Sequence, residues 1–352
     1  MMRIAVYEPQ RSRAFSILSY RQQIKQQLAG QGVTFVSFGQ DQSLPADVDL
    51  YWDPRAAGGG APARTLQNVD KPLVVTLHGA TLFSLPVREL HPDPVIRLRT
   101  RLRNRLMKQR WKRLHRIDAV ITVSQYARQE IAENLPIPAG KIVPIHHGLN
   151  HDLFSPGPGI DDGNPYLLSV SQYQPVKNLD RVFEAYQMLT MLDKPRLVVV
   201  VPRYPVTAPT PGIQVIREPM PQPELVGLYQ RALGYISPSL HESFGFTLIE
   251  AMACGCPVIT SDTTACAEIG RDAALLVDPR SVEAIAGAMQ RVIEDAALRA
   301  DLRARGIAHA AHFTWEKSAR QHLQVFENVL NGNPPQLRTD SNYDRHGAEN
   351  VT

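Results

Sequence analysis

Short runs rich in Val and Ile alternate along this chain with longer segments of helical period. That alternation restricts the fold more than any other feature. Ile4–Tyr7, Thr34–Phe38, Leu73–Leu77, Ala119–Val123 and Ile142–Ile145 read as strands, with helices over Phe15–Ala29, Val95–Leu114 and Gln125–Asn134. The pattern restarts with strand Tyr166–Val170, helix Leu179–Leu192 and strand Arg196–Val201. It continues through strand Leu233–Ile236, helix Thr247–Ala253, strand Pro257–Thr260 and helices Val282–Ile293 and Ala296–His312. Parallel strands need long crossovers, so this order predicts βαβ units around two parallel sheets. Between the halves lies LNHDLFSPGPGIDDGNP (Leu149–Pro165), dense in Pro, Gly, Asp and Asn, the composition of a linker. The expected domains are therefore residues 1–155 and 156–330, with a last helix near 315–330 returning to the first domain. Residues 331–352 are polar and aperiodic and are expected to be disordered. Ligands of open α/β sheets bind beyond the carboxyl ends of the strands, here in a cleft between the domains.

At 352 residues the chain can hold two cores of about 100–200 residues each. An apolar fraction of 43% and a charged fraction of 20% suit a soluble globular protein. No apolar run approaches the roughly 20 residues that span a bilayer, and the opening MMRIAVYEPQ turns polar too early for a signal peptide. Three cysteines make no disulfide framework, and Cys254 and Cys256 lie in a setting too apolar for zinc. These features predict a cytoplasmic protein, able to lie peripherally on the inner face of the membrane.

Net charge is a modest +4, but ten Lys or Arg residues and no acidic one fall between Arg97 and Arg116. The run has two readings. Its apolar members Ile96, Leu98, Leu102, Leu106, Trp111 and Leu114 form a stripe that either packs into the first domain or lies on an anionic membrane surface. Nucleic acid is not expected, because no accompanying binding fold is legible.

The chemistry concentrates in ISPSLHESFGFTLIEAMACGCPVITSD (Ile236–Asp262). A strand ends near Pro238, a loop carries His241, Glu242, Ser243, Phe244 and Gly245, and a helix begins near Thr247, the expected N-cap. Free amides at a helix start, with the helix dipole behind them, seat a phosphate, and Gly245 permits close approach. Glu250 on the first turn and Glu242 in the loop are placed to accept hydrogen bonds from ribose and sugar hydroxyls. Taken singly, either glutamate reads equally as a surface carboxylate; the ordered string is the signal. DVDLYWDP (Asp47–Pro54) holds an Asp-x-Asp pair that could bind a divalent metal, but acidic turn residues explain it more simply. His146, His147 and His151 cluster near the linker, the first two expected on opposite strand faces.

HESFGFTLIEAMACGCPVI resembles the donor-site signature of retaining glycosyltransferases of the group 1 type (family 4), with two glutamates flanking a Phe-Gly turn. SVSQYQPVKNLDRVFEAY (Ser169–Tyr186) resembles that family's phosphate-binding strand–loop–helix, with Lys177 at the lysine position. VVTLHG (Val74–Gly79) resembles its strand ending in histidine, here His78, and the resemblance runs from about Leu73 to Leu330. It implies a GT-B fold of α/β class, two Rossmann-like doubly wound domains facing each other across a cleft. It also implies a metal-independent hexosyl transfer with no cofactor, from a nucleoside-diphosphate sugar to a glycan or lipid-linked acceptor. The expected catalytic residues are His78, Lys177 and Glu242. The donor is expected to meet Gln172, Lys177, Ser243, Phe244, Gly245, Phe246, Thr247 and Glu250. PVKNLD resembles branches that often use GDP-mannose.

Two departures stand out. Gln172 occupies a position where the family often has arginine, which puts more of the diphosphate's charge on Lys177. The loop after the first strand carries Arg11 and Arg13 where the family is commonly glycine-rich. Two other readings fit the same architecture: a sugar-nucleotide 2-epimerase, and a non-catalytic protein that binds nucleotide sugars.

Overall fold

The computed structural model describes residues 1–9, 15–87, 93–157, 159, 163–205 and 210–337, apart from the side chains of residues 15 and 16. Arg11 and Arg13 lie outside them. The chain divides into two compact units, Met1–Gly148 with Trp315–Thr352, and Leu149–Thr314. The boundary falls ahead of the expected residue 155 for a local reason. The Leu149 amide donates to the Phe313 carbonyl at 3.0 Å and the His151 ring bonds the same carbonyl at 3.1 Å. The two ends of the second unit are thus pinned together.

In the first unit, β1 (Met2–Tyr7), β2 (Val33–Phe38), β3 (Leu50–Ala56), β4 (Leu73–Leu77), β5 (Ala119–Thr122) and β6 (Ile142–Pro144) form one parallel sheet. Its order is β2-β1-β3-β4-β5-β6. Strands β4 and β5 are buried along their whole length, which explains why they read as unbroken apolar runs. Strand β3 is not among the expected strands, since Asp53 and Pro54 are both disfavoured inside a sheet. It is tolerated between β1 and β4 by a register shift between Asp53 and Ala56. The fully buried Asp53 carboxylate accepts from the Ala63 amide at 2.9 Å. Helices α1 (Phe15–Leu28), α2 (Thr81–Ser84), α3 (Pro94–Lys112) and α4 (Gln125–Asn134) flank the sheet. The Asp93 side chain caps α3 by accepting from Val95 and Ile96, with Pro94 at the first helical position. The apolar residues along and just after α3 do not form a single inward stripe: Trp111 is buried and Leu114, beyond the helix end, packs on the core, while Leu98, Leu102 and Leu106 are exposed.

The second unit repeats the design with β7 (Tyr166–Val170), β8 (Arg196–Val200), β9 (Ile213–Ile216), β10 (Gly234–Ser237), β11 (Val258–Ser261) and β12 (Ala274–Val277), ordered β12-β11-β10-β7-β8-β9. Chain order reverses between β7 and β10, so the loops leaving their carboxyl ends lie side by side, the usual place for a ligand. Its helices are α5 (Leu179–Met188), α6 (Gln222–Arg231), α7 (Phe246–Ala253), α8 (Thr264–Gly270), α9 (Val282–Glu294) and α10 (Ala296–Ala310). Helix α11 (Trp315–Leu330) belongs to the first unit and packs against α1. The segment after it is not wholly free: Asn333 donates to the Asn328 carbonyl at 2.8 Å. Residues 338–352 of the expected disordered tail lie outside the described residues. Among the described residues, no helix is long and apolar enough to cross a membrane.

Candidate active site

Lys177 ends a single helical turn after β7, and Glu242 sits in the loop after β10. The fold brings them together: Lys177 Nζ lies 2.5 Å from Glu242 Oε1, with both side chains mostly buried. Ser239, fully buried, donates its hydroxyl to the same Oε1 at 3.0 Å. The two loops are stitched directly, since the Leu240 amide donates to the Val176 carbonyl at 2.8 Å. Asn178 completes the clamp. Its backbone is left-handed (φ 62°), and its side-chain amide donates to the Pro238 and Pro279 carbonyls at 2.8 and 2.6 Å.

Helix α7 starts immediately beyond this pair. Its N-cap is Gly245 at φ 97°, with no side-chain cap. The expected Thr247 cap is therefore incorrect: Thr247 is inside the first turn. A residue in the left-handed region ends the loop, and glycine takes that conformation at least cost. Phe244 is buried edge-on against Phe246 and Phe313 at ring separations of 5.1 and 6.0 Å, which fixes the loop beneath the helix start. Glu250 is half-buried on α7 and accepts from the Tyr229 hydroxyl at 3.2 Å. Burial pushes its pKa up to about 7, with the Tyr229 hydrogen bond pulling the other way. Gln172 is exposed and its amide oxygen accepts from the Gln174 side-chain amide at 3.1 Å. The three cysteines are buried and free; burial pushes the Cys254 and Cys266 thiols up to about 12.

His78, after β4 in the first unit, places Nε2 2.9 Å from the Pro54 carbonyl, so that nitrogen carries the proton. Its ring stacks on His147 at 5.4 Å and meets the edge of Tyr20 at 4.9 Å. Burial lowers its pKa to about 4, leaving a neutral imidazole at physiological pH. His146 and His147 lie beyond the end of β6 rather than on a strand, and His147 is buried in this aromatic group. Asp47 and Asp49 both turn to Arg3: Asp47 pairs with its guanidinium at 2.9 Å, and Asp49 accepts from its amide at 2.7 Å.

Sequence reasoning missed Ser239, Asn178 and Tyr229. Only Asn178 carried a signal, being the residue after a lysine turn that best replaces glycine at positive φ. Ser239 and Tyr229 act through contacts that no local pattern announces.

A model of the group 1 glycosyltransferases matches residues 214–309, and a glycosyltransferase family 4 model matches residues 40–153. The chain is 28% identical to O-antigen chain mannosyltransferase B of Escherichia coli, over 72% of this chain and 70% of that protein. It is 26% identical to a D-inositol 3-phosphate glycosyltransferase of Thermobispora bispora, over 60% of this chain and 56% of that one. A serotype-specific mannosyltransferase of Escherichia coli is 25% identical over 61% of this chain, a match spanning only 29% of that longer protein. Among solved structures, sucrose-phosphate synthase from Thermosynechococcus elongatus shares the fold with a TM-score of 0.70 at 19% identity, covering 95% of this chain and 100% of that one. The fold is thus that of the GT-B glycosyltransferases. Within it, the chain belongs to the group 1 glycosyltransferases of family 4 and is a glycosyltransferase.

Proposed function

We propose that this enzyme is a retaining, metal-independent hexosyltransferase. It moves mannose from a nucleoside-diphosphate donor to a glycan or lipid-linked acceptor presented at an anionic membrane surface. The observation that carries the reading is the Lys177–Glu242 pair beside the glycine-capped start of α7. Breaking the bond from the anomeric carbon leaves its electron pair on the diphosphate oxygen. The acceptor oxygen then bonds that carbon on the same face, and its proton passes to the departing diphosphate oxygen. Lys177 and the α7 start favour the developing negative charge over the ground state, which is what accelerates the step. With Glu242 Oε1 engaged by Lys177 and Ser239, Oε2 is assigned to the sugar hydroxyls. Glu250 is assigned to the ribose, Phe244 and Phe246 to shaping the loop, and the backbone of Ser243, Gly245 and Thr247 to the diphosphate. Gln172 adds a neutral donor where a cation is absent. His78 is taken as a neutral hydrogen-bonding group toward the sugar. The likeness to a mannosyltransferase favours mannose. The engagement of Asp47 and Asp49 by Arg3 favours independence from a metal.

Thermal stabilisation by UDP, GDP and ADP at equal concentration identifies the base, and GDP is expected to shift the transition most. With GDP-mannose, the product's anomeric configuration by NMR is expected to match the donor's, and chelators leave turnover unchanged. Lys177→Ala and Glu242→Ala are each expected to reduce turnover by about 10²–10³ with the fold intact. An inverted product, chelator-sensitive turnover, or near-normal turnover in either variant would sink the corresponding part of the proposal.

A further inference from the structure

We propose that helix α3 (Pro94–Lys112) is an interfacial docking helix whose solvent-facing side enters an anionic lipid surface. This deepens the reading of a membrane-presented acceptor and rests on it for its purpose, but its test is separate. One face of α3 is fixed to the first unit. Thr100 and Trp111 are buried, the Trp111 indole donates to the Gly59 carbonyl at 2.9 Å, and the Ala61 amide donates to Met107 Sδ at 3.2 Å. Asn104 adds a hydrogen bond to the Leu82 carbonyl on the same face. The opposite face carries Val95, Leu98, Leu102 and Leu106, three or four residues apart and therefore aligned on one side of the helix. They are 57%, 59%, 55% and 61% exposed. Four large apolar side chains in line on a surface, with no function in the core, mark an interaction site.

Charge selects the occupant. At 100° per residue, Arg101 and Arg105 flank this stripe on one side and Arg99 and Arg103 on the other, all exposed. No acidic residue falls between Arg97 and Arg116. An anionic bilayer meets both features at once: phosphate headgroups take the arginines, whose stems reach up along the helix, and the acyl boundary takes the leucines. A second copy of this face would bring like charges together, and a nucleic acid would offer nothing to leucines at the centre of the footprint. Capping by Asp93 and packing of the inner face keep the helix formed before docking, so little ordering entropy opposes binding.

The test uses the full chain and sedimentation with vesicles of phosphatidylcholine alone or mixed with phosphatidylglycerol. Binding is expected to the mixed vesicles and not to the neutral ones. It should weaken with salt, as exposed charges screened over about 10 Å require, without vanishing. The triple variant Leu98→Ser, Leu102→Ser, Leu106→Ser is expected to lose about tenfold or more in partition. Replacing Arg99, Arg101, Arg103 and Arg105 by Gln is expected to abolish the preference for anionic lipid. Thermal stabilisation by nucleotide should stay at the wild-type level in both variants. That readout shows the second unit intact, and its failure would concern the donor site rather than the helix. Equal binding of the leucine variant, equal binding to neutral vesicles, or a wild-type dimer that the leucine variant dissolves would each overturn the proposal.

Discussion

Both hydrogens of the Asn178 side-chain amide are spent on carbonyls of other segments, Pro238 in the loop after β10 and Pro279 after β12. Its oxygen accepts from Arg181 at 2.8 Å, and the residue is buried. Lys177 is thereby held by its neighbour as well as by its own pairing with Glu242, which makes Asn178 a positioning residue. Asn178→Gly keeps the left-handed backbone but leaves two buried carbonyls short of a donor. It is expected to cost about 1–3 kcal/mol in urea unfolding. Turnover should fall while nucleotide affinity changes less, since the lysine remains but is less well held. Asn178→Ala adds the left-handed strain of about 1 kcal/mol and should unfold more easily still. Full stability and full turnover in the glycine variant would show the clamp to be dispensable. At this scale, Lys177, Glu242 and Glu250 were legible from the ordered string around them. Their actual partners were not: the Lys177–Glu242 contact spans 65 residues, and Ser239 and Tyr229 have nothing in their own neighbourhood to mark them.

Elements were legible where one physical rule acted alone. β4, β7 and α4 have the bounds that apolar runs and helical period predict, because burial on both faces or on one stripe decides them. Strand β3 was hidden by Asp53 and Pro54, whose presence depends on a bulge and on the distant Ala63 amide. β9 is short, with none of its residues fully buried, so it offers no apolar run. The start of α7 was misplaced because Thr247 satisfies the side-chain capping rule. The observed cap is set instead by the left-handed turn that Gly245 must make. That turn is testable. A Cβ at Gly245 would lie 3.0 Å from Leu248 Cδ1 and would be strained at φ 97° whatever the space. Gly245→Ala is expected to cost about 1–3 kcal/mol, to weaken GDP binding and to slow the saturated enzyme. Calorimetric titration with GDP alongside kcat measures the two effects, and unchanged affinity would remove the α7 start from the diphosphate site.

At the scale of the whole molecule, the two units store opposite responses to pH. In the first, Tyr20 joins α1 to α11 through a 2.6 Å hydrogen bond to His322 Nε2, and to β4 through Thr76 at 3.0 Å. Burial lowers the pKa of His322 and His78 to about 4, and His147 also falls well below its ordinary value. These rings are neutral in the folded chain and protonate near 6.5 when unfolded. The stability they confer is complete above about pH 6.5 and is lost as pH falls toward 4, at most on the order of 3 kcal/mol for His78 or His322. Buried Asp53, its pKa raised, opposes this as one group against three. In the second unit the sign reverses. Glu250 ionises near 4.5 unfolded and about 7 folded, so its neutral form is favoured. Stability there is complete below about pH 4.5 and is lost as pH rises through 7, again by up to roughly 3 kcal/mol. Hydrogen-exchange protection factors, corrected for intrinsic rates and read peptide by peptide, separate the two. From pH 7.5 to 5, protection is expected to fall along α1, β4 and α11 and to rise along α6 and α7. Glu250→Gln should flatten the second response and leave the first untouched. If Glu250 holds the ribose as proposed, its ionised form is the stronger acceptor, and nucleotide should bind more tightly as pH rises through 7, where α7 alone is least stable. The bound nucleotide then restores what ionisation costs, and protection of α7 in its presence should become nearly independent of pH. A fall in both regions together on acidification would instead mean that the low histidine values govern the entire chain.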